Sequence, residues 1–149
     1  MNALDRLQSL QVADAMSKKV ISVSASDSMD AAARILGTHG VSAVPVVDNE
    51  GVCVGILSAV DFLRRTMEQG KGDTVAHWMS SAVQTVAAYA PLLLAARIMR
   101  DGHIHRLPVL DRHGKPVGVI STLDIVAAQL NAVEEMEARL GTARNVPYS

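Results

Sequence analysis

A shift of 63 positions lays residues 12–63 over residues 75–126 without a gap, and this duplication restricts the fold more than any other feature of the chain. The opening segments match at Val12/Val75, Ala13/Ala76, Met16/Met79 and Ser17/Ser80. The middle matches at Ala32/Ala95, Ala33/Ala96, Arg34/Arg97 and Ile35/Ile98. The closing segments match at Pro45/Pro108, Val46/Val109, Asp48/Asp111, Gly51/Gly114, Gly55/Gly118, Ser58/Ser121 and Asp61/Asp124. About a third of the aligned positions are identical, where ordinary composition gives roughly one in fifteen. The chain therefore divides into a leader (1–11), a first repeat (12–63), a linker (64–74), a second repeat (75–126) and a C-terminal helical extension and tail (127–149).

Each copy reads as β-α-β-β-α. VISV (20–23) and VQTV (83–86) are short apolar runs of strand type. Met29, Ala32, Ala33 and Leu36, and likewise Leu92, Ala95, Ala96 and Met99, recur at helical spacing, predicting helices that open near Asp27 and at Pro91. VSAVPVVD (41–48) with VCVGIL (52–57), and IHRLPVLD (104–111) with PVGVI (116–120), predict hairpins closed by Gly-containing turns. Pro45 and Pro108 cannot donate to a ladder and belong at an edge or irregularity of their strands. Second helices open at Ser58 and Ser121. A three-stranded sheet this small cannot cover both its faces, so the expected class is α+β, with two repeats packed about a pseudo-twofold axis. The tail carries Leu130, Val133, Met136 and Leu140, read as an extension of the last helix that ends at Gly141 and packs its stripe on the body or a second subunit.

Composition removes several classes of function. Lys plus Arg is 14 and Asp plus Glu is 15, so no excess of cations replaces phosphate counterions, and no nucleic-acid partner is expected. Aromatics are 3% of the chain, too few for a base-stacking platform. Asp5 interrupts the start where a secretory peptide needs an apolar core, and the longest greasy stretch, VAAYAPLLLAARIM, contains Pro91 and Arg97. A cytoplasmic protein without a membrane partner is expected. Cys53, the single cysteine, excludes an intrachain disulfide and reads as a small core residue rather than a redox sensor. Trp78 has no aromatic counterpart, since Ala15 stands at the equivalent position, and reads as covering a local surface or a subunit contact.

The repeated chemistry is concentrated in two places. GILSAVD (55–61) and GVISTLD (118–124) each end a strand and open a helix with Ser and, three residues later, Asp. One interpretation is structural: S-x-x-D is a capping box whose side chains satisfy N–H groups at the helix start. The other uses the same residues on a ligand, with a helix start favouring phosphate and a carboxylate accepting both hydroxyls of a ribose. The second place is HIHRLPVLD (103–111), where His105 and Arg106 offer donors suited to an anion. Ser42 and Ala43 stand there in the first copy, so the copies should differ in phosphate binding. Neighbouring strand residues point to opposite faces, so both cannot line one pocket if the strand is regular. His103, His105 and His113 lack a carboxylate or cysteine at characteristic spacing, and no metal site is expected. Among signatures of enzymes, G-x-S-x-G, the P-loop, G-x-G-x-x-G and H-E-x-x-H do not occur, and no catalytic residues or catalytic cofactor are expected.

Two gap-free copies, each with a Pro-strand hairpin and a closing G-h-h-S-x-x-D, resemble a tandem pair of cystathionine-β-synthase (CBS) domains over about 12–126. HRLPVLD is also similar to the nucleotide-binding repeats of the gamma subunit of AMP-activated protein kinase. The resemblance implies a noncatalytic regulatory module that binds AMP, ADP, ATP or another adenosyl ligand in clefts between the repeats, with AMP the leading candidate. It signals metabolic state to a separate, unidentified partner. The resemblance further implies Asp124 and Asp61 on ribose hydroxyls, Ser121 and Ser58 near ribose or phosphate, and His105 and Arg106 on phosphates. Val20, Ile21 and Ser22, and Val83, Gln84 and Thr85, would flank adenine. A homodimer is the family expectation. The alternatives are an interaction scaffold with an empty cleft, and a binder of NAD(H) or S-adenosylmethionine.

Overall fold

The computed structural model of the chain describes residues 3–68 and 72–144. Two three-stranded sheets repeat one arrangement. In the first, β1 (Val23–Ser24) runs parallel to β2 (Ala43–Val47), joined through α3 (Met29–His39), and β2 pairs antiparallel with β3 (Cys53–Ser58), which leads into α4 (Ala59–Met67). In the second, β4 (Val86–Ala87), α6 (Leu92–Gly102), β5 (Arg106–Leu110) and β6 (Pro116–Ser121) follow the same order and lead into α7 (Thr122–Arg144). A leader helix, α1 (Ala3–Ser9), and two short helices, α2 (Val12–Ala15) and α5 (Val75–Trp78), complete the elements. This is the expected α+β class and order.

Strand formation at 20–23 and 83–86 is narrower than the apolar runs suggest. Only Val23–Ser24 and Val86–Ala87 are strand, because β1 finds partners only at Val46 and Val47. That short pairing also accommodates proline inside a central strand. Pro45 lies opposite Ile56, whose N–H donates to Ser80 O and whose carbonyl accepts from Ser80 N–H, so the Ile56 polar groups point away from β2. The Pro45 nitrogen therefore faces the side where β1 has not yet begun, and no ladder bond is lost. The turn signals DNEG and DRHG act as one device in both copies. Asp48 Oδ1 accepts N–H bonds from Glu50 and Val52, and Asp111 Oδ1 accepts them from His113 and Lys115, with Gly51 and Gly114 at φ 83° and 78°. The bonds from Lys115 and His113 hold the Asp111 carboxyl below the usual carboxylate range.

The two compact units of the structure do not coincide with the two repeats of the sequence. One unit comprises residues up to Lys18, Val86–Val109 and the chain from Gly118 onward; the other comprises Lys19–Thr85 and Leu110–Val117. Each repeat thus sends its opening segment into the unit that holds the body of the other repeat. In the first of these units, Ser17 exchanges both backbone hydrogen bonds with Val119, at 2.9 and 3.0 Å. In the other, Ser80 does the same with Ile56 at 2.9 Å. The cores are built accordingly. Val75 and Trp78 are buried with Val23, Met29, Ala32, Leu36, Val44, Val46 and Leu57. In the first unit Leu7, Val12, Leu92, Ala95, Met99, Leu107, Val109 and Ile120 are buried.

The last helix runs on to Arg144 with Gly141 inside it rather than ending it, and residues 145–149 of the expected tail lie outside the described residues. The α7 residues that bury are Ile125, Ala128 and Ala132, while Leu130, Val133, Met136 and Leu140 are exposed in the single chain, so of the two expected places for their stripe the body does not cover it. Trp78 is likewise corrected: it is 1% exposed, and its Nε1–H donates to Gly72 O at 2.6 Å. A core tryptophan of this kind needs such a polar partner. Cys53 is half-buried, with Sγ 3.6 Å from Gly55 O, and burial pushes its thiol up, away from reactive thiolate. No helix among the described residues is long and apolar enough to cross a membrane.

Gly118 and Gly55 allow the close approach on which the exchanged segments depend. A Cβ on Gly118 would lie 2.6 Å from Met16 Sδ and 2.6 Å from Ser17 O, and on Gly55 2.7 Å from Met79 Sδ and 2.8 Å from Ser80 O. The Met side chains could give way; the backbone oxygens could not. Gly118→Ala is expected to lower unfolding free energy by about 1–3 kcal/mol, read as a fall in the denaturation midpoint. An unchanged midpoint would show that the opening segment does not seat against β6.

Candidate functional site

The two closing helices begin with the same hydrogen bond. Ser58 N–H donates to Asp61 Oδ2 at 2.8 Å, and Ser121 N–H donates to Asp124 Oδ2 at 2.8 Å. Asp124 N–H in turn donates to Ser121 Oγ at 3.2 Å. Both S-x-x-D sequences are therefore capping boxes, and the structural interpretation holds in both copies. Capping uses one carboxylate oxygen, and the copies differ in what becomes of the other.

In the first repeat the second oxygen is taken. Arg64 Nη1 donates to Asp61 Oδ1 at 3.0 Å, and Ser58 Oγ adds a contact to Oδ2 at 3.4 Å. Asp61 is 5% exposed, and is the buried charged residue among those described. The Arg64 guanidinium also lies over the Trp78 ring, 5.6 Å from its centroid, and His77 meets that ring edge-on. Asp61 is thus neutralised, capped and covered by its own unit.

In the second repeat the environment of the carboxylate is open. Among the described residues no donor reaches Asp124 Oδ1. Asp124 lines a cleft of about 280 Å³ with Leu10, Asp14, Ala15, Ala127, Ala128, Asn131 and Glu135. Asp14 is itself a cap, accepting Gln11 N–H at 2.8 Å. Asp14 and Asp124 bring two carboxylates to the cleft, and among the described residues its lining contains no Lys, Arg or His.

His105 and Arg106 are both exposed, and they part company. His105 lines a wider cleft of about 550 Å³ between α6 and α7, with Arg100, His103, Ile104 and Thr122, and its carbonyl accepts Thr122 N–H at 2.9 Å. Arg106, the first residue of β5, does not line that cleft. The strand condition does not hold for this pair: His105 is a bend residue ahead of β5, and Arg106 opens the strand. Neither residue lines the Asp124 cleft. His103 ends α6 in the left-handed region at φ 52°, where Gly40 serves α3 at φ 63°. Arg100 is paired with Asp101, which raises its pKa and lowers that of Asp101. The stretches 20–22 and 83–85 are irregular backbone ahead of β1 and β4; Val20 and Gln84 are exposed, while Ile21, Ser22, Val83 and Thr85 are half-buried. Among the described residues no group of three His, Cys, Asp or Glu side chains is placed to hold a metal ion.

Sequence reasoning missed Arg64, Asp14 and Glu135. The signal for Arg64 was present but lay one residue beyond the aligned repeat, where Ala127 stands opposite it.

Comparison with known proteins agrees with this architecture. The CBS-domain family profile matches residues 12–68 and 75–131. The chain is 28% identical over 131 residues to the CBS domain-containing protein DDB_G0289609 of Dictyostelium discoideum, covering 80% of this chain and 90% of that one. It is 33% identical over 122 residues to the CBS domain-containing protein YhcV of Bacillus subtilis, covering 80% of this chain and 86% of that one. Among solved structures, the CBS domain pair of protein MJ0100, in complex with 5′-methylthioadenosine and S-adenosyl-L-methionine, superposes with a TM-score of 0.68 at 29% identity, covering 79% of this chain and 94% of that one. CBSX2 in complex with AMP superposes with a TM-score of 0.69 at 28% identity, covering 81% of this chain and 96% of that one; CBSX2 is a CBS-pair protein of Arabidopsis thaliana. The chain belongs to the CBS-domain family and carries two CBS domains in tandem.

Proposed function

We propose that this chain is a noncatalytic regulatory module that binds an adenosyl ligand, with Asp124 gripping the ribose hydroxyls, and passes its occupancy to a separate protein. The carrying observation is the division of labour at Asp124: one oxygen caps α7, and the other opens onto a cleft where no donor among the described residues reaches it. Ser121 orients the carboxylate through the reciprocal bond from Asp124 N–H. The adenosyl compounds held by MJ0100 and CBSX2 support the ligand class. Val20, Ile21 and Ser22, with Val83, Gln84 and Thr85, are assigned to adenine by family resemblance, and His105 and Arg106 to an anionic group. Ser58 and Asp61 are the weaker pair, since Arg64 already occupies the Asp61 carboxylate.

AMP, ADP and ATP remain the adenine-nucleotide form of this proposal, with NAD(H) as a dinucleotide variant. The Asp124 cleft favours a second form. Phosphate brought beside the Asp14 and Asp124 carboxylates meets like charge, and the described lining supplies no cation to offset it. S-adenosylmethionine, with a positive sulfonium, or uncharged 5′-methylthioadenosine avoids that repulsion. Shape change follows from differential binding: a ligand favours whichever arrangement of the module holds it more tightly.

A second copy of the chain is the assembly we infer. Val60, Leu63 and Met67 of α4 are 60%, 64% and 84% exposed, and Leu123, Val126 and Leu130 of α7, at the equivalent repeat positions, are 76%, 55% and 55% exposed. Matching apolar triads on both repeats suit a self-complementary contact. Sedimentation at high micromolar concentration is expected to give twice the chain mass, and Leu63→Asp with Val126→Asp to give the single chain; a monomeric parent protein would remove this inference.

An adenosyl ligand of about 25 non-hydrogen atoms, at about 0.3 kcal/mol each, gains roughly 7 kcal/mol, a dissociation constant near ~10 µM. Calorimetry with AMP, ATP, NAD, S-adenosylmethionine and 5′-methylthioadenosine is expected to find one binding in that range. Asp124→Ala, losing a charge-assisted bond of about 1.5–3 kcal/mol, should weaken it at least about tenfold. No heat and no thermal stabilisation with any of the five would leave an interaction scaffold instead.

A further inference from the structure

The eight residues around the Asp124 cleft can be carried back through the 63-residue repeat, and the first copy replaces its small members with large ones. Ala15 becomes Trp78, Ala127 becomes Arg64 and Ala128 becomes Arg65. Of these, Arg64 is the one that meets the Asp61 carboxylate. The Trp78 indole is buried and tethered to Gly72 O, and the Arg64 guanidinium lies between that ring and the Asp61 carboxylate. Arg65 pairs with Asp73, and Asp73 replaces Leu10 of the open cleft.

We infer that Arg64 and Trp78 are a built-in occupant of the first repeat's cleft, so that the chain takes up one adenosyl ligand, at Asp124, and the side chain at position 64 or 127 decides which copy is open. The inference rests on the adenosyl reading above, and it specifies stoichiometry and site selection within that reading. Physically, Arg64 supplies Asp61 with the donor and positive charge that a ligand would have to displace. The exchange is unfavourable because Asp61 is buried, so removing its cation leaves an uncompensated carboxylate. At Asp124 no cation among the described residues has to leave. Ala127 is exposed on α7, so the position can accept a longer side chain without repacking the core.

The test combines calorimetry with the fluorescence of Trp78, the single tryptophan of the chain. With S-adenosylmethionine or AMP, whichever binds, the parent protein is expected to take one ligand per chain. Ala127→Arg is expected to weaken binding at least tenfold with its thermal midpoint retained. Two equal sites per chain, parent-like affinity in Ala127→Arg, or a site lost with Asp61→Asn but kept in Asp124→Asn would overturn the inference. If the parent binds neither probe, the adenosyl reading fails, and the plug is still judged by Trp78. Arg64→Ala should raise acrylamide quenching of its emission at least twofold, and Asp124→Asn should leave it unchanged. Quenching unaltered by Arg64→Ala would show that the guanidinium does not cover the ring, and the plug would be abandoned.

Discussion

Each closing helix of this chain is anchored by one hydrogen bond, from the backbone N–H of a serine to the carboxylate three residues later. The bond ends a strand and starts a helix in the same seven residues, and it fixes the direction in which the second carboxylate oxygen points. The two capping sites differ in what meets that second oxygen. A guanidinium meets it at Asp61; a cleft meets it at Asp124. A capping role and a ligand-binding role are therefore compatible in one side chain, because an ionised carboxylate has acceptor sites to spare.

The exchange of opening segments explains why two small sheets suffice. A two-residue strand such as β1 or β4 offers little pairing, and a three-stranded sheet leaves a face to cover. Residues 75–81 cover it in one unit, carrying Val75 and Trp78 into the core, and residues 12–18 do the corresponding work in the other. The glycines at 55 and 118 permit the contact, because a Cβ at either would press on the backbone oxygen of the incoming segment. Duplication thus has a structural consequence beyond repetition, since each copy completes the unit of its sibling.

Much of this was legible in the chain itself. Gap-free duplication, helical spacing at Met29–Leu36 and Leu92–Met99, and the paired Asp-Gly turns gave the element order and the class, because they are local signals that tertiary packing reinforces. The length of β1 and β4 was not legible, since an apolar run does not reveal how many partners the neighbouring strand provides. Trp78 was misplaced for a related reason: a bulky residue opposite an alanine looks like a surface addition until the cavity it fills is seen. The separation of His105 from Asp124 was likewise beyond sequence, which shows both residues within the second repeat but not the cleft each one faces. Gly141 inside α7 reflects the tolerance of a long helix for an isolated glycine at modest cost.

The two capping aspartates differ in what meets their second oxygen, and a ligand would register that difference. Carboxylate-carbon NMR of selectively labelled aspartate, titrated with S-adenosylmethionine and with AMP, observes both side chains in one sample. The account predicts a saturable shift of the Asp124 signal with at least one of the two compounds while Asp61 stays in place. Movement of Asp61 to the same extent, or of Asp61 alone, would contradict it.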